Sequence, residues 1–318
     1  MRFLDAAAME AALPWRPLVE ALRAMFAQGC EMPVRHHHTV AVPDEPDATL
    51  LLMPAWVPGR YEGVKVANVF PGNAARGRPS ISASYLLSDG RTGELLAILE
   101  GGMLTARRTA AASALAADYL ARADARHLVL IGTGRVARNL FEAHAAVRPI
   151  ERVTVWGRSA DKAEALAAEA RALGFEAAAA APTAEGAQAA VGAADIVSCA
   201  TLSDTPVVAG AWLPEGCHLD LVGGFRPHMR ETDDDAIRRS RVFVDTRPGA
   251  TKEAGDIAVP MESGVLSAEA IAGDLYDLAR GAVSGRDSAA EITLFKSVGA
   301  ALEDLAGAIL AYEGPAGT

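Results

Sequence analysis

Lys65 stands among apolar neighbours in VKVANVF, a stretch of strand character that runs into the Pro71-Gly72 turn. Strand side chains alternate, so Lys65 shares one face with Ala67 and Val69, while Val64, Val66, Asn68 and Phe70 take the other. The chain has 30 basic residues, and four of them are lysines: Lys65, Lys162, Lys252 and Lys296. A lysine on an apolar face therefore needs a reason. It either discourages edge-to-edge pairing of an exposed strand, or it is an ammonium in a pocket that holds an anion or works with a shifted pKa.

A second set of residues carries phosphate chemistry. LVLIGTGRVARNL reads as a strand, then Gly132-Thr133-Gly134-Arg135-Val136-Ala137, then a helix. In this G-x-G-x-x-A form the first glycine makes the tight turn, the second lets backbone approach a pyrophosphate, and the small last residue lets helix pack on strand. The pyrophosphate would lie on the helix N-terminus, where free N–H groups and the dipole favour anions. The following strand, RVTVWGRS, ends in Gly157, Arg158 and Ser159, where a site for NAD usually places an acidic residue. An arginine with a nearby hydroxyl suits a ribose 2′-phosphate. NADPH is therefore the expected cofactor, with NADH less preferred.

His36, His37 and His38 are consecutive, and adjacent strand residues point to opposite faces, so the run is not read as a metal site. Cys30, Cys199 and Cys217 are odd in number and widely spaced, which fits reduced, packed thiols.

The elements that must position these residues fall into two textures. Up to about residue 100, a helix over Pro14–Gln28 precedes strand-like runs VRHHHTVAV, ATLLLMPAW, GVKVANVF, SISASYLLS and ELLAILEG, the last two joined by the turn SDGRTG. That pattern predicts a mostly antiparallel α+β sheet. A long helix, about Leu104–Arg122, leads into HLVLIG, RVTVWG, GFEAAAAA, DIVSCAT, HLDLVGG and RVFVDT, short apolar strands alternating with alanine-rich helices. Such alternation predicts a doubly wound parallel sheet with ligands at the carboxyl ends of its strands. A last helix is predicted over Ala289–Tyr312, from Ile292, Phe295, Val298, Leu302, Leu305 and Ile309. The expected organisation is an α+β domain from residues 1–122 and 289–318, for substrate binding and dimerisation, and an α/β Rossmann-type NAD(P)-binding domain from residues 123–288.

With 318 residues, 51% hydrophobic and 22% charged, the composition is globular. A net charge of −10 argues against nucleic acid or anionic membrane as the main partner. Asp5 and Glu10 interrupt the N-terminal stretch where a secretory signal needs an apolar core, and no later segment has the ~18 uncharged apolar residues of a membrane span. The expected location is the cytoplasm.

LLMPAW, VKVANVFPGN, GGMLTARRTAAASALAA, IGTGRVA, VWGRS, EAGDI and EITLFKSVGAALEDLA occur in this order along nearly the whole chain. Together they resemble the ornithine cyclodeaminase and mu-crystallin family, which includes cyclic ketimine reductases and some alanine dehydrogenases. The resemblance implies that Lys65 (of K-x-x-N-x-F-P) and Arg108 (of L-T-x-x-R-T-A-A) bind a substrate carboxylate, with Arg35 of EMPVRHHH as a third cation. Arg107 is rotated by about 100° on the helix and should face elsewhere. Thr201 is implied near the nicotinamide, Gly223 is read as a further cofactor contact, and Phe225, Met53 and His37 as neighbours of the substrate. His228 reads as a solvated loop residue. Asp304 of ALEDLA matches a family position and reads on its own as a helix-surface or structural carboxylate.

One departure directs the functional expectation. In GGFRPHMRE, Phe225 stands where the cyclodeaminases have an aspartate that moves protons at nitrogen. Phenylalanine cannot do so. The pattern is similar to that of reductases of cyclic imino acids, which implies NADPH-dependent reduction of Δ1-pyrroline-2-carboxylate or Δ1-piperideine-2-carboxylate to L-proline or L-pipecolate by a homodimer. Ornithine cyclodeaminase, alanine dehydrogenase and a mu-crystallin-like NADPH-dependent binder are the alternatives on the same scaffold.

Overall fold

In a computed structural model of the chain, which describes residues 1–314, alternation organises the first sheet. β1 (Arg2–Leu4), α1 (Ala6–Ala12) and α2 (Trp15–Gln28) precede β2 (His36–Val40), β3 (Ala48–Val57), β4 (Tyr61–Val69), β5 (Ile81–Asp89) and β6 (Leu95–Glu100). The strand order is β1-β6-β5-β4-β3-β2, antiparallel except for the β1–β6 pair. Register sets Lys65 opposite Met53 on β3 and Tyr85 on β5, and all three are buried. Ala55, Ala67, Leu87, Ala97 and Leu99 share that covered face. On the opposite face Leu52, Pro54, Trp56, Val64 and Leu86 are only half-buried. The SDGRTG turn joins β5 to β6: the Asp89 carboxylate accepts from the Arg91 and Thr92 amides, and Gly93 supplies the left-handed φ of 72°.

α3 (Gly101–Leu120) follows β6 directly. Its first turn is capped by Glu100, whose carboxylate oxygens accept from the Gly102 and Met103 amides at 2.9 and 2.6 Å. Beyond it the alternation of strands and helices holds. β7 (His127–Ile131), α4 (Arg135–Ala145), β8 (Arg152–Trp156), α5 (Ala160–Ala172), β9 (Glu176–Ala179), α6 (Ala184–Val191), β10 (Ile196–Cys199) and β11 (His218–Leu221) come first. α7 (Asp234–Arg239), β12 (Arg241–Val244), α8 (Arg247–Glu253), α9 (Gly255–Glu262), β13 (Ile271–Asp274), α10 (Leu275–Ala279) and β14 (Thr293–Lys296) come next, and α11 (Ala301–Glu313) is the last helix.

The eight strands β7–β14 form one parallel sheet in the order β13-β12-β14-β11-β10-β7-β8-β9. Its stretch β9-β8-β7-β10-β11 is the 3-2-1-4-5 order of a doubly wound nucleotide-binding fold, with the order reversing beside β7. Compact units form from Met1–Arg108 with the segment from Ala301, and from Thr109–Ala300. The first division falls inside α3.

The helix predicted over Ala289–Tyr312 is corrected by this sheet. Thr293–Lys296 within it is strand β14, and only Ala301–Glu313 is helical. A strand buried on both faces is a continuous apolar run, and Thr-Leu-Phe-Lys, all buried, looks the same as a stretch of buried helix at that length. Gly299, at φ 80°, separates the two elements.

No helix among the described residues is long and apolar enough to cross a membrane. The three cysteines are unbridged, Cys199 and Cys217 buried and Cys30 partly so. The described residues hold no cluster of three or more His, Cys, Asp or Glu side chains suited to a metal ion.

Candidate active site

In the first unit the site is built around one buried carboxylate. Asp304, in the first turn of α11, accepts from Lys65 Nζ at 2.6 Å through Oδ2 and from Arg108 Nε at 3.0 Å through Oδ1. Arg108 Nη1 also donates to Glu303 Oε2 at 2.6 Å. Lys65 and Arg108 are 4% and 5% exposed, and both carboxylates are fully buried. Placing two acids at the N-terminus of α11 also sets them in the favourable end of its dipole.

Burial pushes the Lys65 pKa down, Asp304 raises it, and the Arg108 charge lowers it again, with a further push from Arg35; the result is about 8. Burial alone would raise the Asp304 carboxyl, but Arg108 and Lys65 outweigh it and hold the group below the ordinary carboxylate range. Asp304 is thus a carboxylate throughout the neutral range, and it holds two cations in fixed directions.

Arg107 and Arg108 diverge as the helix rotation predicts. Arg107 Nε donates to the Leu13 carbonyl at 2.9 Å, and its guanidinium lies 3.9 Å from the centre of the Trp15 ring. Arg35 sits just before β2 and is partly buried. His37 pairs with Leu51, which pairs with Ala67, so it shares the Lys65 face of the sheet, but it is exposed. Asp304 corrects the helix-surface reading: it is the centre of the cluster. Tyr85, which carries no signal in the sequence, stands beside Lys65 with a buried hydroxyl that has no hydrogen-bond partner among the described residues. Burial first, then the charges of Asp304 and Cys30, push that hydroxyl's pKa far up, so it stays neutral.

The second unit carries the glycine loop between β7 and α4. Gly132 has φ 120°, and a Cβ there would come 2.6 Å from the Ala200 carbonyl oxygen, so only glycine fits. Gly134 is the N-cap of α4, provides no side-chain cap, and has open space where its Cβ would be. Backbone N–H groups at an uncapped helix start beside open space are what a pyrophosphate requires. Ala137 is buried against the strand, Thr133 and Val136 are partly buried, and Arg135 is exposed at the helix start. At the end of β8, Arg158 and Ser159 are both exposed, and Ser159 Oγ caps α5 by accepting from the Lys162 amide at 3.4 Å.

Thr201 follows β10 and Gly223 follows β11, and both donate to the buried Glu231. Phe225 lies on the loop after β11, 36% exposed, with the Arg226 guanidinium 5.5 Å from its ring centre. His228 is exposed, 3.6 Å from Asp204. Glu231, Asp256 and Lys296 lie in the segments GGFRPHMRE, EAGDI and EITLFK, but a reading of the sequence assigns them no role. The scarcity of lysine that singles out Lys65 would have singled out Lys296 too.

A sequence profile described as the ornithine cyclodeaminase/mu-crystallin family matches residues 5–317. A Δ1-pyrroline-2-carboxylate reductase of Paracoccus denitrificans is 42% identical over 294 residues, covering 92% of this chain and 90% of its own. The structure of the Δ1-pyrroline-2-carboxylate reductase of Thermococcus litoralis, in complex with NADH and L-proline, superposes with a TM-score of 0.90 at 35% identity, covering 98% of this chain and 97% of that one. An archaeal alanine dehydrogenase dimer with bound NAD has the same fold, with a TM-score of 0.88 at 28% identity over 98% of this chain and 95% of that one.

Proposed function

This chain belongs to the ornithine cyclodeaminase/mu-crystallin family, and from that premise we propose that it reduces small cyclic α-imino acids, Δ1-pyrroline-2-carboxylate and Δ1-piperideine-2-carboxylate, to L-proline and L-pipecolate. The observation that carries the proposal is the buried Lys65–Asp304–Arg108 cluster, in which one carboxylate orients two cations. A substrate carboxylate is the anion such a pair would meet.

In this reading Arg108 and Arg35 present planar forks to the carboxylate and Lys65 adds a compact charge. Asp304 and Glu303 fix Arg108, and Asp304 fixes Lys65, so these cations are oriented before substrate arrives and lose little freedom on binding. With a pKa of about 8, Lys65 holds its proton at neutral pH and its ammonium is charged. A bound nicotinamide supplies the hydride to C2 of the ring. The cyclic iminium arrives already protonated, so the protein's share is mainly to bind, orient and neutralise. Met53, beside Lys65 on the sheet, would supply apolar surface to the ring, and His37, exposed on the same face, would border it. Phe225 has no proton to exchange, which favours this reaction over cyclisation of ornithine.

The loop of Gly132, Thr133, Gly134, Arg135 and Val136 would hold the pyrophosphate. Arg158 and Ser159, in place of an acidic residue, favour the 2′-phosphate of NADPH over the free hydroxyl of NADH. Thr201 and Gly223 take the nicotinamide side. The half-buried apolar face formed by Leu52, Pro54, Trp56, Val64 and Leu86 is proposed as the contact of a homodimer. A Trp56→Glu variant that remains a dimer by light scattering would remove that assignment.

The test of the activity is loss of reduced-nicotinamide absorbance with each of the two cyclic imino acids, beside ornithine and beside pyruvate with ammonia. Turnover on the cyclic imino acids alone is the expected result; ammonia release from ornithine would overturn it.

A further inference from the structure

Behind the carboxyl ends of β10 and β11 lies a fully buried ionic triad that none of the proposed chemistry uses: Glu231, Lys296 and Asp256. Glu231 reaches forward to the loops after both strands. Its Oε1 accepts from the Thr201 amide at 2.7 Å and the Thr201 hydroxyl at 2.8 Å; its Oε2 accepts from the Gly223 amide at 2.8 Å and the Gly224 amide at 3.4 Å. From behind, Lys296 Nζ lies 3.7 Å from Glu231 Oε2 and 3.0 Å from Asp256 Oδ2. Asp256 Oδ1 accepts from the amides of Glu231 and Thr232 at 2.7 and 3.1 Å, which fixes the backbone of Glu231 itself.

The loops it joins lie on a definite side of the fold. In a doubly wound sheet the dinucleotide lies across the point where strand order reverses, here beside β7, with the adenosine half on the side of the second strand. β8 is that second strand. β10 and β11 are on the other side of β7, so the loops after them border the nicotinamide half. We propose that Glu231, held by Lys296 and Asp256, is the positioning residue that fixes Thr201 and Gly223 in the geometry the nicotinamide half of the cofactor requires. This rests on the reading of the chain as a nicotinamide-dependent reductase.

Three further observations support it. A Cβ on Gly223 would fall 2.0 Å from the Thr201 carbonyl oxygen and 2.5 Å from Glu231 Oε1, so the two loops are drawn together more tightly than any side chain at 223 permits. One carboxylate takes three amides and a hydroxyl from two separate loops, which a residue serving one turn would not do. Burial raises the Glu231 carboxyl, Lys296 opposes that and Asp256 adds to it; the Lys296 ammonium, 3.7 Å from Oε2, is the charge that favours the ionised form, whose two oxygens accept the four bonds. Thr201 and Gly223 touch the cofactor in this arrangement, and Glu231 acts only through them.

The experiment compares wild type and Glu231→Gln in titrations with NADPH and with 2′-phospho-ADP-ribose, and with NADH and ADP-ribose, read by protein fluorescence. The fragments keep the pyrophosphate and adenosine and lack the nicotinamide. In Glu231→Gln an amide NH2 faces Lys296 and the glycine amides or Thr201, so part of the clamp is lost. The expected result is affinity for the reduced dinucleotide lowered about tenfold, with fragment affinity within about twofold of wild type. Equal loss of both, or loss of neither, overturns the proposal. If Glu231→Gln yields no folded protein, Glu231→Asp, which keeps the charge but shortens its reach to the Thr201 and Gly223 amides, is titrated in the same way and must show the same one-sided loss. A wild type that binds the fragments and the whole cofactors equally weakly overturns the reductase reading as well. Wild-type binding with an unselective variant overturns only the role of Glu231.

Discussion

The Lys65 ammonium and the Asp304 carboxylate, 239 positions apart in the chain, meet at 2.6 Å with neither more than 4% exposed. The lysine comes from the middle of a sheet and the aspartate from the first turn of the last helix, so the pair exists only when both have docked. The same carboxylate orients Arg108, so the positions of both buried cations depend on one acid.

Replacing Lys65 by Met keeps the volume and removes the charge that the substrate carboxylate would meet. kcat/KM for Δ1-pyrroline-2-carboxylate is expected to fall about a hundredfold or more, as for loss of a buried charge-assisted hydrogen bond together with its orienting role. Fluorescence titration with NADPH should give the wild-type affinity, because the glycine loop is built in the other unit. A kcat/KM within threefold of wild type would remove Lys65 from the carboxylate site.

The Lys65 pKa of about 8 sets a direction with pH. Below it the group is an ammonium, and above it a neutral amine that no longer offsets a carboxylate. Affinity for a carboxylate inhibitor whose ring does not titrate, such as tetrahydrofuran-2-carboxylate, should therefore fall as pH rises through that value. The inhibitor's competitive constant measured across the range checks this, and in Lys65→Met the step should be absent. A constant that stays level through that range in wild type would contradict the assignment.

Asp304→Ala takes from Lys65 its ion-pair partner and leaves Arg108 with Glu303. Removing one partner of a buried ion pair costs about 3–5 kcal/mol, and a loss of that size in denaturant unfolding is expected. A loss below about 1 kcal/mol would mean that water or a rearranged side chain satisfies Lys65 and Arg108 in its place.

Arg158→Asp should repel the 2′-phosphate and offer an acceptor to the 2′-hydroxyl. The ratio of kcat/KM for NADPH to that for NADH is expected to fall by about ten- to a hundredfold. An unchanged ratio would place the discrimination elsewhere.

Part of this site is legible in the sequence, and physical reasons separate it from the rest. Lys65 stands out because strand alternation puts a charge among apolar residues, and the glycine loop because its spacing has a steric cause at each position. The family resemblance picks out Arg108, and helix rotation then turns Arg107 away from it. Asp304 misleads because two adjacent acids on a helix look like a solvated face, and only the tertiary docking of α11 buries them. Strand β14 resembles helix because burial on both faces erases the period of two. Glu231 and Asp256 give no local signal, since their importance comes from amides contributed by other loops. Phe225 is assigned to the substrate from its alignment with an aspartate, and the fold places it on an exposed loop after β11.

β14 also governs the order in which the molecule can be finished. It is the last strand among the described residues, yet it lies between β11 and β12, and the β12–β13 pair joins the parallel sheet only through it. While the chain is being made, β11 and β12 therefore present open edges until Lys296 has emerged from the ribosome. The strand that closes the gap also carries the lysine that anchors Glu231 and leads straight into the helix bearing Asp304. Closure of the nucleotide-binding sheet and assembly of both charged clusters thus wait on the same late segment, so a nascent chain has no nearly complete reductase to expose before that point.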